Sequence, residues 1–166
     1  MENEQHESEF ESPDISKITD YLYVSSWPRE EYVEYVSSLG IRMIISMPFY
    51  PPPQEYRDPP FQFVHCKTLD APSVAIPQFM LRRGVTAALP AIDQGDAVLV
   101  HCRQGKHRSV AMACCILVAK GYTSEDAMQL VKEKREVADP YAGYIRKRIE
   151  VFESDWLAKK WQDDQS

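Results

Sequence analysis

Residues 108–120, RSVAMACCILVAK, are apolar around almost the whole circumference of a helix, which no surface helix can tolerate. This segment has to be enclosed by other elements, and Gly121 supplies its stop. Just upstream, Ala97–Val100 (AVLV) is a short apolar run of the kind covered on both faces of a sheet. A buried strand therefore feeds a buried helix through the short loop His101–His107. The same alternation runs through the rest of the chain. Ile18–Ser25 alternates apolar and polar residues as a half-buried strand, and Pro28 and Gly40 bracket a helix over about residues 29–39. Ile41–Met47 is a buried strand, and Phe61–Leu69 a third strand. Between them, residues 48–60 hold six of the 12 prolines and form a surface loop. Ala71–Pro77 is a loop, Gln78 to about Ile92 a helix, Thr123 to about Arg135 a capped helix, and about Tyr141 to Trp161 the last helix. Strands alternating with long helices predict an α/β fold, with a largely parallel central sheet flanked by helices, and 166 residues make it a single domain.

Residues 1–14 carry six acids and no Lys or Arg, so the net charge of −6 sits there and the rest of the chain is neutral. With Phe10 as its only large apolar residue, this opening reads as a disordered acidic tail over 1–16, ahead of a catalytic domain at 17–158 and a polar tail at 159–166. An acidic sequence pI of about 5.2 disfavours nucleic acid as the main ligand. No apolar run approaches the roughly eighteen residues of a membrane span, and the acidic start is unlike a secretory signal. The expectation is a cytoplasmic monomer, with the nucleus also open to it. Cys66, Cys102, Cys114 and Cys115 follow no disulfide-scaffold spacing. Cys114 and Cys115 read as packing thiols in the buried helix. Cys66 reads the same way, with a reversible disulfide to Cys102 kept open. His65-Cys66 and His101-Cys102 do not make a metal centre, because neighbouring strand residues point to opposite faces.

The chemistry concentrates in Val98–Val110, VLVHCRQGKHRSV. A strand–loop–helix junction of this length turns backbone N–H groups and a helix N-terminus into one bowl suited to a tetrahedral oxyanion. Cys102 lies at its floor, where dipole and amides favour a thiolate nucleophile. Arg108, on the first helical turn, can offer a planar fork to two phosphoryl oxygens, and Gly105 lets the loop curl.

His101-Cys102, five intervening residues and Arg108-Ser109 resemble the H-C-x5-R-S/T signature of the cysteine-dependent protein tyrosine phosphatases, dual-specificity branch. The resemblance spans about residues 17–153 and implies a phosphomonoester hydrolase that works through a phosphocysteine, with neither metal nor cofactor. It also implies Asp70, 32 residues before Cys102 and opening the loop DAPSVAIP, as general acid and base. Ser109 is expected to hydrogen-bond the sulfur, His101 to support the loop, and Arg103, Gln104, Gly105, Lys106 and His107 to bind substrate. The branch commonly carries Pro-Asn-x-Gly-Phe as loop support, whereas Tyr141 stands here at the Asn position. The expected substrate is a phosphotyrosine protein or peptide, with phosphoserine and phosphothreonine as further possibilities. The HCxxGKHR form also resembles enzymes acting on inositol pyrophosphates, and its Lys the phosphoinositide branch, so an inositol phosphate is the alternative substrate. A silent phospho-binding pseudophosphatase is the alternative of another class, and the intact Cys102, Arg108, Ser109 and Asp70 argue against it.

Overall fold

The computed structural model describes residues 12–163. The expected acidic tail lies for the most part outside that range, as do the last three residues. Five strands form one sheet: β1 Ile15–Thr19, β2 Leu22–Ser25, β3 Ile41–Ser46, β4 Gln62–His65 and β5 Ala97–His101. Their order is β1-β2-β5-β3-β4, with β1 antiparallel to β2 and every other pair parallel. The helices are α1 Val33–Ser38, α2 Gln78–Asp93, α3 Arg108–Ala119, α4 Ser124–Lys134 and α5 Gly143–Asp163.

Side-chain alternation along the strands builds two cores. Val24, Met43, Ile45, Val98 and Val100 face α2–α5, whereas Tyr23, Ile41, Ile44 and Leu99 face the smaller side closed by Val36 of α1 with Tyr56 and Phe61. α3 is the pivot: its residues from Arg108 to Val118 are all buried, enclosed by α2, α4, α5 and the sheet, as its sequence requires. The parallel register aligns Ser25, His101, Ser46 and His65 at one level. The loops after β2, β5, β3 and β4 consequently leave the sheet on one edge, the carboxyl-end position where open α/β sheets bind ligands.

Several expected boundaries shift. The single strand 18–25 is a hairpin, because Asp20 and Tyr21 turn the chain and Thr19 Oγ1 accepts the Tyr21 N–H at 3.3 Å. β2 is fully buried rather than half-buried, since it lies between β1 and β5. β1 starts at Ile15, inside the expected tail, and α5 continues to Asp163, past the expected domain end. The helix of 29–39 opens as a 3-10 turn, Glu30–Tyr32, and is α-helical only from Val33. The third strand ends at His65 rather than Leu69. Beyond it, Cys66 and Thr68 donate their N–H groups to Ser46 and Met47 and lead the chain into the loops above the sheet. Thr123 caps α4 by accepting the Asp126 N–H at 3.1 Å, as expected.

Candidate active site

β5 ends at His101, and Cys102–His107 curl over its tip before α3 begins. Gly105 has φ +64°, and a Cβ there would lie 2.7 Å from the Ser25 carbonyl oxygen, so no other residue fits without moving backbone. The resulting hook brings the Gly105 N–H to 3.2 Å from Cys102 Sγ, and Ser109 Oγ to 3.0 Å from the same atom. Cys102 is 3% exposed.

The loop's carbonyl oxygens are tied outward by donors from elsewhere in the fold. Met47 N–H donates to His101 O, Trp27 N–H to Arg103 O and Asp139 N–H to Lys106 O, at 3.1, 3.1 and 2.9 Å. Arg135, 2% exposed, donates Nε to Gly105 O at 2.7 Å and Nη2 to Gln104 O at 3.2 Å. Peptide planes anchored by their carbonyls leave their N–H groups for the concave side, which is what an oxyanion bowl needs. Arg135 is in turn fixed by Asp14, which accepts from both guanidinium Nη atoms at 2.9 Å, and by Ser16 Oγ at 3.1 Å. The Arg135 hydrogen bonds hold the Asp14 carboxyl below its ordinary pKa.

His101 is enclosed, edge-on to Trp27 at 5.8 Å between ring centroids, with Nδ1 3.4 Å from Cys102 O. Burial pushes its pKa down to about 3, so the ring beneath the loop is neutral and adds no charge to the site. Arg108 is 4% exposed, and its Nη1 reaches Met47 O, Thr68 O and Thr68 Oγ1 at 3.3–3.4 Å. Those oxygens come from the loops after β3 and β4, so the cation is positioned by the sheet edge. Its Nη2 stands 3.7 Å from Asp70 Oδ2. Asp70, Cys102, Gln104, Lys106, His107 and Arg108 line one small bowl. It opens beside a wider cleft walled by Trp27, Pro48, Phe49, Tyr50 and Arg103. Arg103, Gln104 and Lys106 are exposed on the rim, while Gly105 is buried.

The structure thus brings Cys102, Arg108, Ser109 and Asp70 together from α3, its preceding loop and the loop after β4. Cys66 and Cys102 are both buried free thiols, and burial pushes the Cys66 pKa up to about 11. Tyr141 is 41% exposed, and the loop support expected of an Asn falls instead to the Asp139 backbone and to Arg135. His107 Nε2 adds a 3.4 Å contact to Asp139. Arg135 and Asp14 escaped the sequence reading, since Arg135 sits in the charged run KEKRE at a helix end and Asp14 in the acidic leader. The aromatic walls Phe49 and Tyr50 escaped it too, inside a proline-rich segment that reads as plain loop.

Residues 22–154 match the family model for the dual specificity phosphatase catalytic domain. Over 62 residues, 37% of this chain, it is 53% identical to Dual specificity protein phosphatase 1 of Arabidopsis thaliana, covering 31% of that protein. Over 131 residues, 70% of this chain, it is 27% identical to Inositol diphosphatase DSP3 of the same plant, covering 60% of that protein. The chain therefore spans less than two thirds of the length of either relative. A mouse dual specificity phosphatase, solved in complex with zinc tungstate, has the same fold, with a TM-score of 0.80 at 23% identity over 92% of this chain and 94% of that one. The chain belongs to the dual specificity phosphatase catalytic-domain family, with buried Cys102 and Arg108 in the places that family's signature requires.

Proposed function

We propose that the protein hydrolyses phosphotyrosine in proteins or peptides, and phosphoserine or phosphothreonine more slowly, through a phosphocysteine on Cys102. The observation that carries this reading is the position of Asp70 above the bowl, 3.7 Å from Arg108, where the bowl meets a cleft walled by Trp27, Phe49 and Tyr50. An acid at that mouth serves a leaving group that must be protonated, and aromatic walls suit a phenyl ring.

In the first step the Cys102 thiolate attacks phosphorus, and an S–P bond forms as the bond to the ester oxygen breaks. Protonated Asp70 gives its proton to that oxygen, which leaves as a phenol or alcohol. Arg108 and the loop N–H groups hold the three equatorial oxygens as charge builds on them. In the second step Asp70, now a carboxylate, takes a proton from water, and the hydroxide attacks phosphorus. The S–P bond then breaks, inorganic phosphate departs, and Ser109 Oγ, 3.0 Å from the sulfur, donates to the returning thiolate.

A second reading, an inositol phosphate substrate, is favoured by the rim cations Arg103 and Lys106 and by the inositol diphosphatase relative. The test is kcat/KM on a phosphotyrosine peptide, a phosphoinositide and an inositol pyrophosphate, for wild type and for Arg103→Ala plus Lys106→Ala. The phosphotyrosine reading expects the peptide to be preferred, and the double variant to cost it about 1 kcal/mol or less through lost screened attraction. Preference for an inositol substrate, with selective collapse in the double variant, would exchange the two readings.

A further inference from the structure

Beside the catalytic cleft lies a second cavity that the mechanism leaves unused. Phe49, Lys67, Thr68, Leu69, Val74 and Pro77 line it, with Ile76 at its base. Phe49 and Thr68 also line the catalytic cleft, so the two cavities share a wall and open side by side. The lining is apolar, and Phe49, Leu69 and Val74 remain 44%, 53% and 44% exposed. Apolar surface gathered next to a reaction centre marks a place where something is expected to be covered. The shared wall is also held in place, because Lys67 Nζ stands 3.8 Å from the centroid of the Phe49 ring.

We propose that this cavity is a side-chain subsite for an apolar residue two positions away from the phosphotyrosine of a peptide substrate. The proposal rests on the phosphotyrosine reading above and narrows its substrate class. In an extended peptide, side chains at i and i+2 stand on the same face, about 6.5–7 Å apart. Two cavities that open side by side across a shared wall can take such a pair of side chains. The residue between them points away to solvent and is left unselected by either cavity. A phosphoinositide fits less well. Its acyl chains hang from a second phosphate on the far side of the inositol ring, whereas this cavity adjoins the cleft that opens on the phosphate bowl and shares its Phe49 and Thr68 wall.

The test compares phosphotyrosine peptides that carry Leu or Asn two residues before or after the phosphotyrosine, with a small aryl phosphate as the reference that cannot reach the cavity. Wild type should favour Leu by about tenfold in kcat/KM at one of these two positions. Val74→Asn should reduce that preference to less than about twofold and leave the aryl phosphate unchanged, while Val74→Leu should retain the preference. Equal rates on Leu and Asn peptides at both positions, or a preference that survives Val74→Asn, would overturn the subsite while the phosphotyrosine reading stands. Turnover of the aryl phosphate and of phosphoinositide vesicles, with no peptide hydrolysed, would overturn that reading and the subsite together.

Discussion

Arg135 makes no contact with the bowl's interior, yet replacing it should disable the site. Its Nε–H bond to Gly105 O, at 2.7 Å, is short and charge-assisted, and its Nη2–H bond to Gln104 O, at 3.2 Å, is weaker. Hydrogen bonds to charged groups contribute about 1.5–3 kcal/mol each, so Arg135→Met removes about 3 kcal/mol from the anchoring of these two peptide planes. Asp14, with a side chain 56% exposed, can be rehydrated, so losing its ion pair adds little. The freed carbonyls lose the donor that ties them outward and the loop will turn, taking its N–H groups away from the positions that meet the phosphoryl oxygens. If the loss falls on the transition state, kcat drops by about a hundredfold. Affinity for vanadate, a pentacoordinate phosphate mimic, should fall in parallel. The assay is kcat on an aryl phosphate and vanadate inhibition, with circular dichroism and thermal unfolding confirming that the variant is folded. Arg135→Lys should recover part of the loss, since an ammonium can reach one carbonyl but cannot bridge both and Asp14. A folded Arg135→Met enzyme with wild-type kcat and vanadate affinity would refute the argument that outward-tied carbonyls orient the bowl.

Two further outcomes follow from the same geometry. Asp70→Asn should slow hydrolysis of phosphotyrosine far more than that of esters with acidic phenols, which leave without a proton, and a leaving-group series showing equal loss throughout would point to another acid. Because Arg135 holds the Asp14 carboxyl below its ordinary pKa, the stability this pair contributes is fully present above the unfolded value of about 4 and is lost as pH falls through the lower folded value. Urea unfolding should accordingly show wild type more stable than Asp14→Asn by about 1 kcal/mol or less near pH 6, with the gap closing as acidification protonates the Asp14 carboxylate. A gap that persists unchanged in strong acid would contradict it.

What could be read from the sequence was whatever is encoded locally. The all-round apolar pattern of Arg108–Ala119 identified the central helix, and the strand–loop–helix junction with its Cys102, Arg108 and Ser109 spacing identified the bowl. Asp70 could be placed from its spacing before Cys102 together with the family resemblance, although the strand ahead of it ends sooner than its composition suggests. The β1–β2 hairpin stayed hidden because Asp20-Tyr21 is a turn without glycine or proline, flanked by residues that continue the alternation. Arg135 and Asp14 stayed hidden for another reason. Their role exists only through partners about 30 and 120 residues away, and a charged residue in a charged run gives no sign of being buried. The Tyr141 departure proved to be local, since a backbone N–H from Asp139 and a distant guanidinium tie the loop from outside.

In the proposed reaction Cys102 carries the phosphoryl group between substrate and water. Acid quenching of the enzyme during turnover of an aryl phosphate, followed by peptide mass analysis, tests it directly. Phosphate is expected on the peptide containing Cys102. Cys102→Ser should give neither phosphopeptide nor turnover, and should still bind inorganic phosphate because the bowl survives. Phosphate on another residue, or full turnover by Cys102→Ser, would contradict it.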